Sequence, residues 1–144
     1  MTDLAHPIDP APGWQREHLE RYVATGGADG HLWRGAPTLL LTTVGRRTGQ
    51  AYRTPLISGQ DGDRYLVVAS KGGSDVAPGW YRNLTRNPTV RVQVGDRVFD
   101  GTARTADPGE QARLWPVMTA IWPAYDDYQR RTSRPIPVVV ITPA

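Results

Sequence analysis

The chain contains no cysteine, which excludes disulfides, thiolate metal sites and cysteine nucleophiles together. Its three histidines, His6, His18 and His31, fall in the first quarter without metal-ligand spacing, so no metal centre is expected. Phenylalanine occurs once, and the five tryptophans lie mostly in stretches that read as helix. That argues against a nucleic-acid-binding barrel, whose strands expose stacking aromatics. No run approaches the roughly 18 apolar residues of a membrane span, and residues 1–13 are polar and proline-rich without the apolar centre of a signal peptide. The reading is a flexible leader over 1–13, one domain over 14–144, and a cytoplasmic protein. Absent too are a Gly-x-Ser-x-Gly elbow, a Walker loop, a Gly-x-Gly-x-x-Gly turn and a His-Glu-x-x-His pair. A nucleophile with its base is therefore hard to assemble, and any bond chemistry falls to a bound cofactor.

Lysine is nearly absent. Of 17 basic residues only Lys71 is not arginine, and the formal charge of +3 suits a small anion as well as it suits nucleic acid. Arginine is a planar fork and lysine a compact point charge, so a lone lysine in an arginine-biased chain points to a site that needs the latter. The plain alternative is a lysine on a mobile surface loop.

What is present is organised as strands joined by tight turns. Runs over 38–44, 51–58, 64–69, 89–94, 97–106 and 135–142 have strand character, with Asp61-Gly62 and Gly95-Asp96 as hairpin turns. Val138, Val139, Val140 and Ile141 read as buried on both faces. The fold class is mainly β (α+β): an antiparallel barrel of about six strands with flanking helices. Trp14, His18, Leu19, Tyr22 and Val23 recur at helical spacing and predict an amphipathic helix over 14–25. A short helix opens at Pro78 and stops at Asn87-Pro88. A longer one runs from Pro108 to about Tyr128, broken near Pro116 and Pro123.

Two basic turns stand where strands should end: Gly45-Arg46-Arg47-Thr48-Gly49-Gln50, and Ala69-Ser70-Lys71-Gly72-Gly73. Glycine frees the backbone N–H groups, hydroxyls add donors and the cations add charge, so each is built like an anion cradle, and together they suggest one ligand spanning both. The first, taken alone, could instead be a solvated hairpin turn. Arg53, Thr54 and Pro55 follow on the next strand. Trp80 offers a flat apolar wall, although a tryptophan opening a helix is often core. Trp115, Met118, Ile121, Trp122, Tyr125 and Tyr128 form one helical face, equally readable as core, with the Tyr125 and Tyr128 hydroxyls free to face a pocket.

The ordered series Leu40 to Gln50, Thr54-Pro55-Leu56, Ala69 to Gly73, Pro78 to Leu84 with Asn87-Pro88, Pro123 to Gln129 and Arg134 to Val138 resembles the deazaflavin-dependent nitroreductases of actinobacteria over roughly residues 30–143. The resemblance implies a split β-barrel oxidoreductase that passes a hydride from reduced coenzyme F-420, an 8-hydroxy-5-deazaflavin, to a quinone, nitroaromatic or conjugated enone. It implies that Arg46, Arg47, Thr48 and Gly49 contact the phosphate and acidic tail of the coenzyme and that Lys71 adds charge there. Pro55, Ala69, Ser70, Trp80 and Asn83 would lie along the ring and linker. Trp122, Tyr125 and Tyr128 would line the acceptor pocket, with Tyr125, Tyr128 and Ser70 as the candidate catalytic hydroxyls. Where relatives that activate nitro drugs carry another tyrosine, this chain has Trp122. Alternatives are an FMN-dependent reductase or oxidase on a similar barrel and a non-catalytic deazaflavin carrier. The expected partner is a small-molecule acceptor rather than nucleic acid; peripheral membrane contact through the N-terminal helix and a homodimer stay open.

Overall fold

A computed structural model describes residues 3–144. Helix α1 (Trp14–Thr25) is followed by the two-residue strand β1 (Leu32–Trp33) and the hairpin β2 (Ala36–Val44) and β3 (Ala51–Ile57). A one-residue break at Ser58 leads into β4 (Gly59–Asp61), which turns back as β5 (Arg64–Val68). A 3-10 turn (Lys71–Gly73) and helix α2 (Gly79–Arg86) precede the hairpin β6 (Thr89–Val94) and β7 (Arg97–Thr105). Helices α3 (Pro108–Ile121) and α4 (Ala124–Arg130) lead to the last strand, β8 (Val138–Pro143).

All the strand pairs are antiparallel, in the order β1-β2-β6-β7-β8-β5-β4, with β3 on the other flank of β2. Residues 51–61 form one bent run whose first half pairs with β2 and whose second half pairs with β5. The bend brings both edges of the sheet onto one segment. Beyond Gly59↔Leu66 no pairing joins β3 to β5, and the barrel is split along that line. Gly59 permits the bend to be covered, because a Cβ there would lie 2.7 Å from Met118 Sδ on α3.

The period-two pattern sorts the core into two layers. Val139 and Ile141 point into the barrel with Leu39, Leu41, Val67, Val90 and Val92, and Leu84 of α2 plugs one end. Val138 and Val140 point outward under α3 and α4 with Leu66, Leu114 and Met118. The run 138–141 is thus buried on both faces, as its composition predicted. Leu19 and Tyr22 fix α1 to Leu40 on the outside of β2.

Six long strands stand where the sequence placed them, and β1 and β4 are short additions. β8 starts at Val138 rather than residue 135, since Pro135 and Pro137 have no N–H to give to a ladder. The predicted break near Pro116 does not occur. Pro116 and Ala112, whose carbonyl loses its partner, are both on the exposed face of α3, where water can take that carbonyl while Leu114 and Met118 hold the helix to the barrel. The break at Trp122-Pro123 is present. The face expected for α1 is narrower than its spacing suggested, with Trp14 and Val23 exposed and His18, Leu19 and Tyr22 buried.

Candidate functional site

Two hollows meet at the split in the barrel and share Gln15, Thr54, Gly79 and Trp80 in their walls. The first, ≈ 440 Å³, holds Arg46, Arg47 and Thr48 of the β2–β3 turn, Tyr52 and Arg53 of β3, and Asn83 of α2. The second, ≈ 480 Å³, is lined by Pro55, Ser70, Lys71 and Gly72 on one side and by Trp122, Tyr125 and Tyr128 on the other. A wider hollow of ≈ 740 Å³ beside the β6–β7 turn is lined by Asp29 and Asp96 and by no lysine or arginine. It is a poor match for an anion.

The arginine turn is held rigidly. Gly45 N–H donates to Gln50 O (2.7 Å) and Gly49 N–H to Gly45 O (2.9 Å), while the Thr48 and Tyr52 hydroxyls meet at 2.9 Å. Asn83 is 6% exposed and is committed to the same turn: its Oδ1 accepts from the Arg46 N–H (3.2 Å) and from Arg46 Nη1 (2.9 Å), and its Nδ2 donates to Thr43 Oγ1 (3.1 Å). Asn83 therefore braces the cation cradle, rather than lying free for a ring. Desolvation, with Arg82 and Arg47 close by, holds the Arg46 guanidinium below its usual pKa. Among the described residues Arg46, Arg47 and Arg82 form no ion pair, so the turn concentrates uncompensated positive charge. Arg53, by contrast, is neutralised by Asp9 of the N-terminal segment through bonds of 2.8 and 3.1 Å. That segment is docked on β3 by Ile8, whose carbonyl accepts from Arg53 N–H and whose N–H donates to Ala51 O.

The second hollow has a different chemistry. Ser70 is 8% exposed, and its hydroxyl has no partner among the described residues. Ser70 is in the right-handed region, followed by Lys71 (φ 45°) and Gly72 (φ 63°) in the left-handed one, the alternation that turns successive N–H groups into an anion nest. Gly73 lets α4 close over this turn, because a Cβ there would sit 2.6 Å from Tyr128 O. Tyr125 is 5% exposed, its ring 6.0 Å from that of Tyr128, and its hydroxyl is unpartnered. Burial, reinforced by Tyr128, pushes the Tyr125 phenol well above its ordinary pKa, so it remains a neutral donor. Trp122 Nε1 donates to the Tyr128 hydroxyl at 3.4 Å.

The structure brings Arg46, Arg47, Thr48, Trp80 and Asn83 together in the first hollow, and Pro55, Ser70, Lys71, Trp80, Trp122, Tyr125 and Tyr128 in the second. Lys71 is separated from the arginine turn, so the two basic turns form two stations of one groove joined at Trp80. Ala69 is fully buried and Gly49 belongs to the turn's frame; neither lines a wall. Packing on the domain is the plain role the sequence offers for α1 and shielding a substrate mouth the lesser one; the structure shows both, with Trp14, Gln15 and His18 of α1, and Trp33 stacked on Trp14 at 4.9 Å, lining one side of the second hollow. Trp33 is the addition that nothing in its own short segment announces.

Comparison with known proteins gives a consistent picture. The family model described as F420H(2)-dependent quinone reductase matches residues 14–143. An F420H(2)-dependent quinone reductase of Mycobacterium tuberculosis is 48% identical over 131 residues, covering 88% of each chain. A solved structure described as a domain-swapped dimer superposes with a TM-score of 0.72 at 40% identity, over 88% of this chain and 96% of the other. That of an F420-H2 dependent reductase, FDR-A, does so at 0.69 and 40% identity, over 74% and 94%.

Proposed function

The chain belongs to the F420H(2)-dependent quinone reductase family, and from that premise we propose that its two-station groove holds reduced coenzyme F-420 along its length and opens onto a quinone acceptor. The bound coenzyme supplies the hydride. Arg47 and the braced Arg46 take its phosphate and acidic tail, with Arg82 adding to the field. Pro55 and Trp80 flank its ring, and Tyr125, Tyr128 and Trp122 form the wall against which the acceptor lies, excluding water and fixing its orientation. The Tyr125 hydroxyl, neutral and unpartnered, holds a proton where an acceptor oxygen can take a hydrogen bond.

The observation that carries this reading is the uncompensated Arg46–Arg47–Arg82 cluster directly beside an apolar slot walled by Trp80. The groove fits a ligand with an anionic end and a flat apolar body. The test is titration of coenzyme F-420 against tryptophan fluorescence, followed by turnover of menadione with the reduced coenzyme. Arg47→Gln should weaken coenzyme binding about tenfold or more, the scale of one charge-assisted bond. A wild-type protein that neither binds the coenzyme nor turns over would refute the reading.

Two finer elements concern partners. Pairing as a homodimer is supported by the related domain-swapped structure and is measured by light scattering of the purified chain. Contact of α1 with a membrane surface is supported by the exposed Trp14 and Val23 of that helix and is measured by vesicle flotation. No helix among the described residues is long and apolar enough to cross a membrane.

A further inference from the structure

Behind the Ser70–Lys71 turn lies a cation that the groove does not expose. Arg134, in the segment between α4 and β8, donates Nη1 to Ala69 O (3.2 Å), Nη2 to Ser70 O (3.1 Å), and Nε and Nη2 to Ser74 O (3.1 and 2.8 Å). It forms no ion pair among the described residues, so its charge is met by backbone carbonyls alone. Its own backbone is fixed: its N–H donates to Thr132 Oγ1 (3.1 Å) and its carbonyl accepts from Gln129 Nε2 (2.9 Å).

Peptide planarity converts this clasp into a direction. In a trans peptide the N–H points opposite to the C=O of the preceding residue. With the Ala69 carbonyl drawn onto Arg134, and the Ser70 carbonyl onto Arg134 and the Gly73 N–H (2.9 Å) together, the N–H groups of Ser70 and Lys71 face away from Arg134, and both residues line the second hollow. Neither N–H has a partner among the described residues, and the hydroxyl of Ser70, a residue 8% exposed, has none either and so opens onto accessible space. Three donors of two adjacent lining residues thus stand without an acceptor, and the guanidinium behind them polarises the peptides in the sense that strengthens donation.

Resting on the function proposed above, we propose that Arg134 is a positioning residue that assembles an oxyanion site from the Ser70 N–H, the Lys71 N–H and the Ser70 hydroxyl. Its ligand is a charged or charge-developing oxygen. That oxygen belongs either to the coenzyme or to the acceptor, which gains negative charge as hydride arrives, and the experiment separates the two.

The variants are R134Q and R134K in the full chain, with melting temperature recorded for each. R134K keeps the charge with fewer bonds to the turn and should fall between wild type and R134Q. Coenzyme affinity comes from fluorescence titration, and kcat and KM from menadione reduction. Independently of the coenzyme, inorganic phosphate is titrated into the protein while the Ser70 and Lys71 amide signals are followed by NMR. A rise of about tenfold or more in the coenzyme Kd of R134Q with kcat preserved supports the site and assigns the oxygen to the coenzyme. A comparable fall in kcat with Kd preserved supports it and assigns the oxygen to the acceptor. If both constants stay within about twofold of wild type and the amides respond to phosphate alike in both proteins, the proposal is overturned, whatever happens to the melting temperature. Should wild type fail to bind the coenzyme at all, the family-based reading fails, and the phosphate arm decides on Arg134: signals that move in wild type and not in R134Q support it, and identical behaviour overturns it.

Discussion

Tyr125→Phe removes one oxygen from a residue that is 5% exposed and whose hydroxyl bonds to nothing among the described residues. Among the described residues no buried side-chain polar atom lacks a partner, so this hydroxyl reaches the second hollow and costs less than the about 1–3 kcal/mol of a fully desolvated one. The variant should therefore be between unchanged and about 1 kcal/mol more stable. A chain of this length unfolds with an entropy of about 0.3 kcal/mol/K, so the melting temperature should rise by up to about 3 °C. Activity should move the other way: loss of one neutral hydrogen bond to the acceptor is worth about 1 kcal/mol, or roughly fivefold in kcat/KM. Tyr22→Phe is the matched control. Its hydroxyl accepts from Gly95 N–H at 2.7 Å and lies 3.2 Å from both Thr38 O and His31 Nδ1, so its loss should cost about 1–3 kcal/mol and lower the melting temperature by about 3–10 °C. Calorimetry of both variants and steady-state reduction of menadione make the comparison. A destabilised Tyr125→Phe with wild-type turnover would refute the reasoning, because the hydroxyl would then be serving the fold and not the pocket.

Asn83→Asp keeps the shape and the acceptor for Arg46 while placing a negative charge in the cation cluster; it should melt at or above the wild-type temperature yet bind coenzyme at least about tenfold more weakly, and undiminished affinity in a fluorescence titration would count against the cradle. Glu110 is pulled down to about 2 by Arg104 at 2.5 and 2.8 Å and by the Asp107 N–H, so the stability it contributes is present above its ordinary value of 4.5 and is lost as pH falls toward 2. Wild type should lose melting temperature across that window and Glu110→Gln should show a flatter acid limb; parallel limbs would show the Arg104 pair to be inert. Tyr125 gives the opposite limb: its raised pKa means the unfolded chain loses the phenolic proton first as pH passes about 10, so wild type should lose alkaline stability that Tyr125→Phe keeps, and equal alkaline melting curves would contradict the assigned burial.

What could be read from the sequence was whatever a contiguous segment carries by itself. The alternation Val90, Val92, Val94 and the doubly buried run Val138 to Ile141 fix strand identity locally, and the two basic turns declare their chemistry because glycines and cations are adjacent in the chain. Pro116 misled because a proline's effect on a helix depends on which face it occupies, and that face is set by the barrel beneath α3. The short strand β4 was invisible because three residues carry no period, although it is the piece that bends 51–61 across both sheet edges.

The site was legible in its parts and not in their relation. The two basic turns read as two cradles spanned by one ligand because charge type was known and position was not; the structure sets them in two hollows that share Trp80 of α2 in their walls. Asn83 stands along the coenzyme only as the family resemblance implies, and its 6% exposure and three bonds to Arg46 and Thr43 make it a brace of the arginine turn. Arg134 lies more than sixty residues from the Ala69 and Ser70 carbonyls it holds, and nothing in its own segment announces that role. Residues that touch a ligand tend to sit in turns whose composition betrays them. Residues that aim those turns act through carbonyl contacts across the fold, which leave no local mark, so the second group needs coordinates to be found.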